Sequence, residues 1–133
     1  MAYWLMKSVP SVYPWSRLLE EKRTAWSGVR NYQANNNMKA MKKGDQAFFY
    51  HSNEERAIVG IMQIVKTWYP DPSDETGRFG MVDVRPQKSL TQPVTLTAIK
   101  NIAALKEMEL LRQSRLSVSA VTDEAWNLIL SQK

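Results

Sequence analysis

Apolar residues in this chain gather into short runs separated by polar breakers. Tyr3-Trp4-Leu5-Met6 crowds aromatic and aliphatic side chains together before Ser8-Val9-Pro10-Ser11 interrupts it, which predicts a first strand. Pro14 suits the first turn of a helix, Leu18 and Leu19 supply its buried side, and the pattern ends near Lys22 or Arg23. Asn31 is placed to cap a second helix reaching about Met41. Lys39, Lys42 and Lys43 then fall at its C-terminal end, where the helix dipole favours cations, and Gly44-Asp45 closes it. Two β-rich runs follow, Gln46 to His51 and Ala57 to Val65, joined by the turn-rich Ser52-Asn53-Glu54-Glu55, and together they read as a hairpin. Gly60 inside the second run predicts a bulge or a close backbone approach. Pro70 to Gly77 reads as an exposed loop and Phe79 to Arg85 as another strand. Leu96 to Leu105 holds one or two short helices opening at Thr95, and Leu116 to Val121 forms a last strand. Thr122 caps a final helix with Asp123 and Glu124 in its first turn.

Strands and short helices are thus interspersed, without the regular long crossover helices that an all-parallel sheet needs. This predicts an α+β domain around a small, strongly curved sheet or barrel, with any ligand site at its mouth or rim. At 133 residues, with 44% hydrophobic and 23% charged residues, the chain fits one domain spanning residues 1–133. No apolar run approaches the about 20 residues of a membrane span, and the first six residues lack a signal-peptide core, so no membrane association and cytoplasmic residence are the expectations. The absence of cysteine excludes disulfides, thiolate metal sites and a cysteine nucleophile, and the single histidine makes a zinc site implausible. Neither metal nor cofactor is expected. The net charge of +5 favours an anionic partner, although the cations are scattered along the sequence.

Between Trp26 and Met38 the chain places four asparagines and a glutamine beside two aromatics and an arginine. Amide side chains carry a donor and an acceptor in one plane and so match a nucleobase edge, and Trp26 and Tyr32 offer faces on which a base can stack. The competing reading is that these amides cap a helix and its flanking turns. A catalytic role for His51 with Ser52 is disfavoured, because neighbours on a strand point to opposite faces and no elbow glycines flank the serine. The pairs Glu20-Glu21, Glu54-Glu55 and Asp74-Glu75 all lie in segments that read as exposed, and the five glycines are isolated, leaving no phosphate-cradling loop. Trp4, Trp15 and Trp126 read as core, whereas Trp26 and Trp68 adjoin turn-forming residues and could line a pocket.

Six segments taken together resemble the EVE-domain family, a branch of the PUA-like superfamily related to YTH domains. They are Tyr3 to Ser8, Trp26 to Ala34, Phe48 to Asn53, Val59-Gly60-Ile61, Tyr69-Pro70-Asp71-Pro72 and Leu111 to Val118, in family order over nearly the whole chain. The resemblance implies a PUA-like pseudobarrel of five to six mostly antiparallel strands with short peripheral helices. It also implies binding of DNA or RNA with a modified base held in a pocket. Lys7, Ser8, Trp26 and Ser27 map onto the Lys-Ser and Trp-Ser pairs that contribute to that pocket in YTH domains. Asn31, Tyr32, Gln33, Tyr50, His51, Ser52, Gln113 and Arg115 stand in the EVE motifs as further candidates. Val9 occupies a position where many members carry Glu, so a carboxylate acceptor for an exocyclic amino group is missing here.

The expected function is therefore binding without chemistry: a base swung out of its strand, stacked on Trp26, with cations on the flanking phosphates. An enzyme acting on a nucleotide or small metabolite, or a protein-interaction adaptor, are the alternatives. Under the pocket reading Trp26 is removable with little loss of stability. Gln113 and Arg115 should sit at the barrel rim, the alternative for Arg115 being an ion pair with Glu107 or Glu109.

Overall fold

A computed structural model describes residues 2–53 and 55–132. Its strands are β1 (Tyr3–Ser8), β2 (Thr24–Ala25), β3 (Gln46–His51), β4 (Ala57–Pro70), β5 (Gly80–Thr95) and β6 (Val118–Val121). The helices are α1 (Trp15–Glu21), α2 (Tyr32–Ala40), α3 (Leu96–Lys100), α4 (Glu109–Arg112) and α5 (Asp123–Leu130), with a 3-10 turn at Ala103–Leu105. One mixed sheet, ordered β2-β5-β4-β3-β1-β6, forms an open pseudobarrel.

The middles of the central strands, Trp4 to Met6 and Ala47 to Tyr50, are apolar because both of their faces are covered. Trp4, Met6, Ala47 and Phe49 face one core, which also takes in Trp15, Leu18 and Trp26. Their neighbours Leu5, Phe48 and Tyr50 face a second core with Ile99, Leu105, Leu110 and the α5 residues Trp126 and Ile129. Trp126 stacks on Phe48 at 3.9 Å and on Tyr3 at 4.3 Å between ring centres, in keeping with its expected core role. Side-chain caps form where the sequence predicts them. Asn31, Thr95 and Thr122 accept from the backbone N–H groups of Ala34, Ala98 and Ala125. Gly60 satisfies both expectations at once: the β4–β5 register shifts between Ile58 and Gly60, and a Cβ there would lie 2.3 Å from Cζ2 of Trp15.

Three expectations need correction. β5 continues ten residues past Arg85, through Pro86 and Pro93, because repeated register shifts against β4 absorb the missing donors. β2 and α4 were not anticipated, and both are too short to leave a periodic signature. The segment after Pro70 is a loop but not wholly an exposed one, since Asp71 is only 2% accessible. Its carboxylate accepts from the N–H of Gly28 at 2.8 Å and from the N–H and hydroxyl of Ser73, and pairs with Arg30 at 3.5 Å. Burial pushes its pKa up, but these donors and the Arg30 charge outweigh burial and hold the carboxyl below the usual range. Glu54, in the expected hairpin turn, lies outside the described residues.

One exception to the antiparallel pattern positions the site. β1 and β3 run parallel, with Lys7 opposite Tyr50 and Ser8 opposite His51. The crossover that makes this possible, residues 9–45, carries α1, β2 and α2.

Candidate nucleic-acid interface

Parallel pairing brings the carboxyl ends of β1 and β3 to one end of the sheet. The antiparallel partners β4 and β6 start there, as Ala57 pairs with His51 and the Lys7 N–H donates to the carbonyl of Ser117. Segments far apart in sequence, Lys7-Ser8, Tyr50 to Ser52 and Ser114 to Leu116, are thereby forced together. Three adjoining clefts open among them.

The first, about 410 Å³, is lined by Lys7, Ser8, Val9, Val12, Tyr13, Arg17 and Thr24 to Ser27. Its wall from Val9 to Tyr13 is a tight turn in which the N–H groups of Val12 and Tyr13 both donate to the carbonyl of Val9. The Ser8 hydroxyl donates to the Tyr13 carbonyl at 2.6 Å. Its one proton is thus committed, and toward the cleft Ser8 can only accept. Trp26 is 7% accessible and packs edge-on against Phe49, with ring centres 5.5 Å apart, so it is at once a cleft wall and a core residue.

The second cleft, about 500 Å³, is lined by Lys7, Tyr50, Ser52, Asn53, Arg56, Leu96, Lys100, Leu111 and Ser114. Lys7 separates it from the first. The Lys7 ammonium donates to the Ser114 carbonyl at 2.6 Å and lies 5.9 Å from the centre of the Tyr50 ring. Burial lowers its pKa from the ordinary lysine value. The third cleft is shallower, about 350 Å³, and gathers Asn31, Gln33 and the run from Arg112 to Leu116.

Ten of the twelve candidate residues therefore line this connected surface. Lys7, Ser8, Trp26 and Ser27 line the first cleft, Tyr50 and Ser52 the second, and Asn31, Gln33, Gln113 and Arg115 the third. The other two lie elsewhere. Tyr32 is 58% accessible, and its ring rests on Phe79 with 4.9 Å between centres, toward the 71–79 loop. His51 is buried: its Nε2 accepts the Trp15 N–H at 3.0 Å, which places the proton on Nδ1, facing Glu55 at 2.9 Å.

Three of the four asparagines serve the backbone, as the capping reading expects. Asn31 caps α2. Asn35 is 2% accessible; its Oδ1 accepts from the Trp68 indole and the Gly80 N–H, and its Nδ2 donates to the Arg78 carbonyl. Asn37 donates to the Val118 carbonyl at 2.7 Å. These three amides satisfy backbone groups at a helix end, in the loop before β5 and on β6 and β5. Trp68, held this way and packed against the core, does not line any of the three clefts. At the rim, Arg112 rather than Arg115 is the residue that pairs with Glu107 and Glu109, at 3.9 and 3.7 Å. Sequence reasoning missed Val12, Tyr13, Arg17, Arg56 and Lys100, which only the tertiary fold brings to the clefts.

The model for the EVE domain matches residues 2–132. Thymocyte nuclear protein 1 of Mus musculus is 38% identical, across 97% of this chain and 72% of its own length. Among solved structures, Rpa0253 of Rhodopseudomonas palustris, determined by NMR, superposes with a TM-score of 0.93 at 48% identity, over 98% of this chain and 91% of that one. Human THYN1 protein, crystallised in complex with DNA containing 5-methylcytosine, superposes with a TM-score of 0.89 at 35% identity, over 98% and 96% of the two chains. By sequence and by fold, this chain belongs to the EVE-domain family.

Proposed function

We propose that the protein is a nucleic-acid-binding module that takes a modified base, with 5-methylcytosine in DNA as the leading candidate, into the first cleft and performs no chemistry on it. The observation that carries this reading is the cleft itself, a concave site of ligand-binding size between the Lys-Ser and Trp-Ser pairs, in a fold whose human relative is crystallised on 5-methylcytosine-containing DNA. Ser8, restricted to accepting, complements a donor such as the exocyclic amino group of cytosine. That role compensates for the carboxylate missing at Val9. Val9 and Val12 add apolar wall, which suits a base methyl group. Against catalysis, both nitrogens of the chain's one histidine are occupied by Trp15 and Glu55, leaving no imidazole for a general base.

Two duplexes identical except for one 5-methylcytosine test the reading by titration. Burying one methyl group is worth about 0.8 kcal/mol, so the modified duplex should bind about fourfold more tightly. Equal affinity would remove the modified-base part of the proposal. A second expectation concerns Arg115 in the third cleft. Arg115→Lys keeps the charge and loses the planar fork, so a bidentate contact to phosphate or base should weaken about tenfold, or 1.4 kcal/mol. Unaltered affinity would take Arg115 out of the interface.

A further inference from the structure

We infer that the second cleft is a phosphodiester clamp for the strand whose base occupies the first, with Arg56 and Lys100 as its cations and Lys7 as the wall shared between the two. This rests on the nucleic-acid reading above and assigns that reading a second site. Three cations from remote parts of the sequence, Lys7 on β1, Arg56 before β4 and Lys100 at the end of α3, line one cleft of about 500 Å³. Among the described residues lining it there is no carboxylate. Ser52, Asn53 and Ser114 add hydrogen-bonding groups, and the Tyr50 ring, Leu96 and Leu111 supply apolar surface. An anion with an apolar flank fits this composition, as a phosphodiester with its sugar does.

The backbone at Arg56 is an independent observation. Its φ is +45°, in the left-handed region that disfavours any residue with a Cβ. Asn53 in the same loop is also left-handed, at +66°, but asparagine tolerates that region and arginine does not. The strained conformation is held from both sides: the Arg56 carbonyl accepts the Leu96 N–H at 2.8 Å, and the Arg56 Nε donates to the Asn53 carbonyl at 3.1 Å. Glycine would fit this backbone better. What arginine adds is a guanidinium fixed over the cleft by its own Nε bond, with its remaining N–H groups directed by that fork.

The test is a salt titration of a duplex carrying one 5-methylcytosine, from about 50 to about 200 mM salt, on wild type and on Arg56→Gln/Lys100→Gln. Each phosphate contact contributes about 0.9 to the slope of log K against log salt, so the double variant should lose about 1–2 of that slope. A control pair, Lys39→Gln/Arg85→Gln, removes the same charge at the opposite end of the sheet. There Arg85 bonds Gln63, the β4 partner of the first β3 residue, and Lys39 lies over Trp68. It should leave the slope within a few tenths of wild type. Arg56→Gly should flatten the slope by about 1 while holding or raising the melting temperature, an outcome that a purely structural arginine would not give. An unchanged slope in the double variant, or an equal loss in the control pair, would overturn the clamp. The nucleoside 5-methyl-2′-deoxycytidine, which has no phosphate, should bind both proteins alike. If wild type does not bind the nucleoside at all while the slope still flattens, the base-pocket reading fails and the clamp stands.

Discussion

Replacing Trp26 by alanine is expected to cost about 3–5 kcal/mol of stability, enough to lower the melting temperature by more than about 10 °C in a chain of this size. The indole is 7% accessible, closes one core against Phe49, and has its backbone N–H tied to the Val82 carbonyl at 2.8 Å. Read from sequence, the residue is a pocket wall whose removal abolishes base binding with little change in melting temperature; its burial argues against the second half of that expectation. Lost binding in Trp26→Ala therefore would not identify a ligand contact. Trp26→Phe separates the two roles, since it retains most of the core volume and removes one of the two fused rings on which a base would stack. It should lower the melting temperature by only a few degrees while weakening binding of a 5-methylcytosine oligonucleotide, stacking being worth about 1–3 kcal/mol per base. A Trp26→Ala protein as stable as wild type would show that the indole lies outside the core after all.

Gly60→Ala is expected to be nearly as damaging, although it adds a single methyl group. The new Cβ would lie 2.3–2.6 Å from three atoms of the Trp15 ring. That ring cannot withdraw cheaply. Its indole N–H donates to the Ser89 hydroxyl at 2.8 Å, its backbone N–H donates to His51, and its edge meets Phe49 at 5.2 Å between centres. Overpacking of this kind costs about 1–3 kcal/mol, and loss of the Ser89 bond adds about 1 kcal/mol. Trp15 also opens α1, which carries Arg17 into the first cleft, so ligand affinity should fall together with stability. Thermal unfolding of Gly60→Ala at wild-type temperature would mean that the β4 backbone yields freely at its bulge.

Much of this was legible in the sequence wherever one local rule decided the outcome. β1 and β3 carry apolar middles because both faces are covered there, and Asn31, Thr95 and Thr122 each cap the helix they precede. Gly60 signalled a close approach because nothing else explains a glycine within a run such as Ile58 to Val65. The far half of β5 was hidden because Pro86 and Pro93 usually end strands, and only its register shifts against β4 make them tolerable. Asp71 was misread because a loop carboxylate is ordinarily solvated, whereas here the donors of Gly28, Arg30 and Ser73 converge on it. The asparagines admit two readings in the sequence because an amide that complements a base edge complements a backbone group equally well, and Asn35 and Asn37 follow the backbone reading. Motif resemblance located most of the cleft-lining residues. It could not separate them into three clefts, because that division follows from the parallel β1–β3 pairing and from Lys7 reaching across to Ser114. Arg56 and Lys100 belong to no motif and were invisible until the fold placed them beside Lys7.

The central claim is that the modified base sits between the Lys7-Ser8 and Trp26-Ser27 pairs, and amide and indole NMR shifts during titration with 5-methyl-2′-deoxycytidine test it most directly. Saturable shifts confined to Lys7 to Val9, Val12-Tyr13 and Thr24 to Ser27, including the Trp26 indole N–H, are the expected result. Shifts centred instead on the apolar groove formed by Ile61, Leu90, Val94 and Ile129 on the α5 side of the sheet would contradict it.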